Sequence, residues 1–181
     1  MREMADIFNE YGLLSAGPHP YTMAALEEDF VRAFPYSVRR PQLFAGLVRL
    51  RGDLLSRGLV GYWYVNGSFT TGKPEPDDVD VAVFIEHDLF NTSSSEAQAF
   101  VRNELEQVDT AKARYMAHPF LILCCPMTHV NYDAFISLKD YIVNEFVRVK
   151  EMPYDEGNPA RHRKGYAVVL LGEYELGRCS V

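Results

Sequence analysis

The sequence predicts an α/β (α+β) fold: a mixed β-sheet flanked by helices, in one domain spanning residues 1–181. Three observations predict it. Runs of aromatic and β-branched residues at 62–65, 79–85 and 166–171 read as strands. Stretches with apolar residues at helical spacing lie around them, clearest in the stripe Leu43, Leu47, Leu50, Leu54. A hydrophobic content of 48% over 181 residues is ample for a single core.

Taken in order, residues 8–21 combine two glycines and two prolines with aromatic and aliphatic side chains, so the N-terminal stretch 1–21 reads as an extended strap docked on the body. Thr22 is placed to cap a short helix through about Ala33, with Leu26 and Phe30 on one face and Pro35 as its stop. A longer helix is predicted over 37–57, its leucine stripe widened by Phe44 and Val48 and ended by Gly58. Its arginines at 39, 40, 49, 51 and 57 read as a solvated face. Residues 86–95 read as a loop, and Ser93 with Glu96 forms a capping box for a helix to about Met116. The apolar run 120–125 is either a strand or a buried connection. Residues 129–136 alternate as a strand does, with Asn131, Asp133 and Phe135 on one face. A helix is predicted over 138–149, a Gly/Pro-rich acidic loop over 153–159, and a tail over 172–181.

Charge and cysteine usage narrow the function classes. A formal charge of −7 argues against a protein that coats nucleic acid with its whole surface, while leaving room for a local basic groove. The cysteines at 124, 125 and 179 show no Cys-x-x-Cys spacing, which suits a reducing cytoplasm, and five scattered histidines give a zinc site little support. Charged residues interrupt the N-terminus, so neither a signal peptide nor a membrane segment is expected there.

The most informative stretch is 62–85, YWYVNGSFTTGKPEPDDVDVAVFI. On the second strand Asp78 and Asp80 share one face, and Val79, Val81 and Val83 the other. Two adjacent carboxylates resist joint ionisation unless something positive lies between them, and hard oxygen ligands suit Mg²⁺ or Mn²⁺. In the loop, Gly67 lets the backbone approach a ligand closely, Ser68 adds a hydroxyl and Lys73 a mobile positive charge, a combination suited to phosphate oxygens. A solvated hairpin turn is the competing reading. It accounts for Asp77 or Asp78 but not for a second Asp inside a Val-rich strand. Further on, 161–165 (RHRKG) concentrates positive charge ahead of a strand. Such a cluster is usually a solvated face, but Arg163 and Lys164 are also candidates for contacting phosphate or the acceptor.

Gly67-Ser68 followed by Asp78-Val79-Asp80 on the next strand resembles the DNA polymerase beta-type nucleotidyltransferase superfamily, and GSFTTGKPEPDDVDV is especially similar to small bacterial members with a Lys-Pro loop before the Asp pair. The resemblance implies the minimal nucleotidyltransferase fold, a nucleoside triphosphate as substrate, Mg²⁺ or Mn²⁺ as cofactor, and transfer of a nucleoside monophosphate to a hydroxyl on RNA, protein or a small molecule. A toxin or phage-defence setting and a regulatory protein partner are among its implications. It also implies a third carboxylate from a later strand beside the Asp-x-Asp strand, for which Asp133 is the best match, giving Asp78, Asp80 and Asp133 as catalytic metal ligands. The competing reading of Asp133 is an acid at a sheet edge or paired with an arginine. A catalytically silent nucleotide-binding or protein-interaction module on the same scaffold is the alternative function.

Overall fold

The computed structural model describes residues 7–149 and 163–173. Its elements run β1 (Gly17–Tyr21), α1 (Met23–Glu27, continuing into a π-helical turn over Glu28–Arg32), α2 (Arg39–Leu55), β2 (Gly61–Asn66), a 3₁₀ turn (Ser68–Thr70) and β3 (Val79–Glu86). They continue with α3 (His87–Thr92), α4 (Ser95–Phe100, with a second π-helical turn over Val101–Leu105), α5 (Val108–Tyr115), β4 (Ala117–Cys124), α6 (Tyr132–Val147) and β5 (Gly165–Leu171). The strands form one five-stranded mixed sheet in the order β1-β5-β2-β3-β4. β1 with β5 and β3 with β4 pair in parallel, and β2 is antiparallel to both of its neighbours.

Strand alternation sorts the core into two layers. Trp63, Val65, Val79, Val81, Val83, Ile85 and Val169 pack with the α2 stripe Leu43, Leu47, Leu50 and Leu54 and with Ala111 and Tyr115 of α5. On the other face, Tyr62, Tyr64, Ala82, Phe84 and Tyr166 pack beneath Phe135, Ile142 and Phe146 of α6. The central strand β2 is buried along its whole length because both faces are covered. Among the described residues no helix is long and apolar enough to cross a membrane.

Several predicted elements form where expected. Thr22 caps α1 by accepting from the Ala25 amide at 3.1 Å. Gly58, at φ +70°, closes α2 as the amides of Gly58 and Leu59 return to the carbonyls of Leu55 and Leu54. Others differ, each for a local reason. The strap contributes an edge strand, β1, whose pairing with β5 no local pattern announces. Val48 is half exposed and does not widen the α2 stripe. Residues 87–92 are helical rather than loop, and the next cap is Ser94, not Ser93, accepting from the Ala97 amide at 3.1 Å. The predicted helix to Met116 is split at residues 106–107, and Met116 ends α5 in the left-handed region at φ 54°. His118 and Pro119 lie inside β4, an edge strand where a missing donor is tolerated. The stretch 129–136 is not a strand: a turn leads into α6, on which Phe135, Ile142 and Phe146 recur at helical spacing and are buried. The period-2 pattern there is a coincidence of composition, for Val130 is almost fully exposed. The loop 153–159 and most of the tail 172–181 lie outside the described residues.

Gly46 marks the tightest helix contact. A Cβ there would sit 1.8 Å from the Tyr115 carbonyl oxygen, so α2 and α5 touch through backbone, whereas a Cβ at Gly52 would meet nothing within 4 Å. Gly46→Ala is expected to destabilise by about 1–3 kcal/mol through overpacking. Gly52→Ala on the same helix should stabilise by roughly 0.5–1 kcal/mol through backbone entropy. Denaturant midpoints of the two variants check the contrast, and equal shifts would show that the close approach at Gly46 is not tight.

Candidate functional site

The last residue of β2 and the second of β3 face each other: Asn66 pairs with Asp80 across the antiparallel ladder. The chain then turns at Gly67, whose φ of +83° few other residues adopt, and enters the 3₁₀ turn at Ser68. A Cβ at position 67 would lie 3.1 Å from both the amide nitrogen and Oδ2 of Asp80. The glycine is therefore required by backbone conformation and also by contact with the carboxylate. The buried Asn66 side chain fixes this corner, donating to the Phe146 carbonyl at 2.6 Å and accepting from Thr70 Oγ1 at 3.1 Å. Lys164 Nζ donates to the Gly67 carbonyl at 3.0 Å, and Thr71 Oγ1 to that of Ser68 at 2.8 Å.

The loop from 67 to 78 is held from beneath by the start of α2. Arg40 is fully buried, and its guanidinium donates to four carbonyls, those of Phe30 and Phe69 at 2.8 Å and of Thr71 and Lys73 at 2.6 Å. It stacks 3.5 Å from the centre of the Phe34 ring. Burial pushes its pKa down to about 10, which leaves it charged at neutral pH. The expectation of a solvated arginine face is thus corrected at Arg40. Glu75 caps α2 from the loop, accepting from the amides of Val38 and Arg39, each at 2.9 Å, and from Ser37 Oγ at 3.1 Å. The Val38 and Arg39 amides hold the Glu75 carboxyl below the usual range. Arg39 reaches the Asp77 carbonyl at 2.7 Å.

These elements border an open cleft of about 850 Å³. Gly67, Ser68, Lys73, Asp78, Asp80 and Lys164 all line it, so six of the predicted residues share one cavity. Tyr11, Gly12 and Leu13 of the strap form one side, and the C-terminal half of α6, with Tyr141 and Glu145, forms another. The Asp78 and Asp80 side chains are about one-third exposed to the cleft, at 33% and 34%. Asp78 Oδ2 pairs with Lys112 Nζ at 2.9 Å, and that hydrogen bond raises the lysine above its usual range. Asp80 Oδ1 lies 3.7 Å from His118 Nδ1, on the strand position paired with it across β4. Lys73 is tied to Asp77 at 2.9 Å, which lowers the Asp77 pKa.

Two predicted residues lie apart. Asp133 is a correction: it is exposed in the first turn of α6, roughly 18 Å along the helix axis from Glu145 at the cleft, and does not line the cavity. An acid there complements the helix dipole. The strand beside β3 reads AHPFLILC and contains no acid, so at the expected position of a third carboxylate stands His118. Arg163 is exposed, pairs by backbone with Arg148 and does not line the cleft, while Arg161 and His162 lie outside the described residues. Sequence reasoning missed Arg40, Glu75, Lys112, His118 and Glu145. Of these, only His118 had a signal, since extending the run 120–125 back by two residues puts it on the same face as Phe120.

Among the described residues, one group of three has ligand atoms all within 4.8 Å of one another: His87, Asp88 and His129, at the other end of β3. His87 Nδ1 is 3.0 Å from Asp88 Oδ1, His129 Nδ1 accepts from the Asn131 amide at 3.1 Å, and His129 Nε2 lies 3.7 Å from Asp88 Oδ1. The trio lies away from the cleft, and none of its three residues lines it.

A family model described as "Family of unknown function (DUF6932)" matches residues 7–169. No curated protein and no solved structure matches the chain.

Two substitutions test the support of the loop. Arg40→Met leaves four carbonyls, two of them in buried and two in part-buried hydrogen bonds, without their donor and is expected to cost about 3 kcal/mol or more, read from urea unfolding. A loss below about 1 kcal/mol would show that water replaces the guanidinium at no great cost. For Glu75 the folded-state pKa is depressed, so its stabilisation is complete above the unfolded value near 4.5 and lost as pH falls through the lower folded-state value. The melting-temperature gap between wild type and Glu75→Gln should therefore be present at neutral pH and close in acid. A gap that persists unchanged to the acid limit contradicts the cap.

Proposed function

The chain belongs to the family DUF6932, and from its own cleft we propose that it is a metal-dependent nucleotidyltransferase, moving a nucleoside monophosphate from a nucleoside triphosphate to an acceptor hydroxyl. The observation that carries the reading is the contact of the Gly67-Ser68 turn with Asp80 inside the cleft. A turn with an obligatory glycine, a hydroxyl at its next residue and a carboxylate against it is the arrangement that holds phosphate oxygens beside a cation. The resemblance to polymerase beta-type nucleotidyltransferases rests on the same residues.

In this reading the Gly67 and Ser68 backbone and the Ser68 hydroxyl hold the β and γ phosphates, with Lys73 and Lys164 as nearby positive charges. Asp80 and Asp78 are the residues that would hold Mg²⁺ or Mn²⁺, whose charge neutralises the triphosphate when bound. The acceptor oxygen bonds to the α phosphorus as the bond to the bridging oxygen breaks. Pyrophosphate leaves with that electron pair, and the hydroxyl proton passes to solvent. Positioning supplies most of the rate in such a transfer, which is what the rigid turn offers. The acceptor is RNA, protein or a small molecule. A cytoplasmic setting is part of the proposal, consistent with the burial of the thiols of Cys124 and Cys125. A toxin or phage-defence role with a regulatory partner protein stays attached to the resemblance alone.

A second reading, a nucleotide-binding module without transfer, is favoured by the distance of Asp133 from the cleft and by the pairing of Asp78 with Lys112. Thermal-shift titration with each nucleoside triphosphate, with and without Mg²⁺, is expected to show metal-dependent stabilisation, and no shift with any of them would sink both readings. Labelled triphosphate incubated with cell lysate then separates transfer from binding. Asp80→Ala should reduce labelling at least 100-fold while keeping the melting temperature within a few degrees. Labelling at the wild-type rate would remove Asp80 from the chemistry.

A further inference from the structure

We infer that His87, Asp88 and His129 form a second cation site, built for a divalent transition ion of the Zn²⁺ type and lying apart from the nucleotide cleft. The inference goes beyond the proposed function and does not depend on it.

Topology supplies the place. β3 and β4 run parallel, with Glu86 paired to Cys124 at their carboxyl ends. His87 and Asp88 begin α3 directly after β3, and His129 lies in the turn that leads from β4 to α6. The segments leaving two neighbouring parallel strands therefore meet, and the crevice outside such strand ends is a recurrent place for ligands. The turn is itself fastened: the His129 amide donates to the Pro126 carbonyl at 2.9 Å, and the Tyr132 amide to the His129 carbonyl at 3.0 Å.

The donor set supplies the chemistry. One nitrogen of each imidazole and one carboxylate oxygen lie within 4.8 Å of one another. Ligands about 2.0–2.1 Å from a tetrahedral ion stand roughly 3.4 Å apart. Asp88 Oδ1 is 3.0 Å from His87 Nδ1 and 3.7 Å from His129 Nε2, on either side of that value. The two histidine side chains are 22% and 17% exposed and that of Asp88 70%, so two sheltered nitrogens face an ion whose remaining position opens to water. Two nitrogens and one oxygen suit Zn²⁺ rather than Mg²⁺, which prefers oxygen alone.

Polar groups beyond the ligands orient them. The Asn91 carboxamide lies 3.2 Å from His87 Nδ1 and 3.1 Å from Nε2, and that of Asn131 lies 3.4 Å from Nε2. With its oxygen turned inward, either carboxamide accepts the Nε2 proton while Nδ1 takes the ion. At His129 the ion takes Nε2 and the ring proton moves to Nδ1. Asn131 is exposed, so its amide passes from Nδ1 to water at the cost of one surface hydrogen bond. An ion held in this way pins the turn before α6 to the end of β3.

The full chain, stripped of metal with a chelator, is titrated with Zn²⁺ by calorimetry and with Co²⁺ by visible absorption. One Zn²⁺ per chain is expected, with a Kd in the micromolar range or below, a higher melting temperature and no competition from Mg²⁺ in roughly 100-fold excess. The Co²⁺ spectrum should show d–d bands without thiolate charge transfer. His87→Ala, His129→Gln and Asp88→Asn should each weaken Zn²⁺ binding at least about 10-fold, while His19→Gln, a histidine outside the trio, binds as wild type does. Far-ultraviolet circular dichroism in chelator checks that each variant folds. If His87→Ala does not, His129→Gln, on a turn outside any strand or helix, carries the test. No Zn²⁺ on the wild type, several ions bound only at millimolar concentration, a thiolate band, or wild-type affinity in His129→Gln would overturn the inference. Each of these outcomes leaves the nucleotidyltransferase reading standing, since that reading is tested with Mg²⁺ and nucleotide.

Discussion

The guanidinium of Arg40 is the constraint on which the rest depends. A charge taken fully out of water is costly unless its donors are occupied, and here four carbonyls take the terminal N–H groups, without a carboxylate in hydrogen-bond contact, while Nε–H is left without an acceptor. Three of those carbonyls belong to the loop between β2 and β3, so the charge cannot be satisfied unless the loop takes one shape. The dependence runs the other way as well. The carbonyls of Phe69, Thr71 and Lys73 find their donor in this guanidinium. Glu75 and Arg39 extend the same reciprocity to the helix end, where the loop caps α2 while α2 pins the loop. A segment that looks in sequence like a flexible Gly/Pro-rich connection is therefore tied down by Arg39 and Arg40, side chains from a helix 29 to 38 positions earlier.

This rigidity is what gives the Gly67 corner its meaning. The sheet is covered on both faces, and α6 lies over the Tyr62, Tyr64 and Phe84 layer, leaving the Asp80 end of β3 open at the cleft. Asn66 joins that end to the last turn of α6 through the Phe146 carbonyl, and Lys164 joins β5 to the Gly67 carbonyl. Turn, strand end and helix end are thus fastened to one another around the carboxylate. Preorganisation of this kind holds polar groups at fixed distances without reordering them when a ligand arrives.

Much of this was legible in the sequence, and the remainder was hidden for definite reasons. β2, β3 and β5 announced themselves through β-branched and aromatic runs, α2 through its leucine stripe, and the cleft through Gly67, Ser68, Asp78 and Asp80. Their relation depends only on strand alternation and a hairpin-like ladder, which are local properties. Asp133 failed because a seven- or eight-residue window cannot distinguish alternation from the start of a helix. The buried positions that decide it, Phe135, Ile142 and Phe146, extend past the window. Arg40 failed because composition treats arginine as a surface residue, and only the tertiary fold brings four carbonyls to it. Lys112 and Glu145 sit on helices with no motif, and their positions, against Asp78 and in the cleft lining, are products of topology alone.

The distribution of charge has a consequence for what such a cleft can accept. The chain carries −7 overall, so a long polyanion approaching it meets repulsion that salt screens only beyond about 8–10 Å. The cleft is lined by Lys73, Arg148 and Lys164 and by Asp77, Asp78, Asp80 and Glu145, with Lys112 set against Asp78, so both signs of charge meet there. A compact anion that brings a divalent cation with it can meet both signs of this lining at short range, where Coulomb terms are strongest. A triphosphate fits that description. An extended nucleic acid does so only where one end enters, with most of its backbone held against an acidic exterior. On the proposed reading, the same electrostatics that admit the nucleotide select for acceptors that are small, or that present a single hydroxyl at a protruding end.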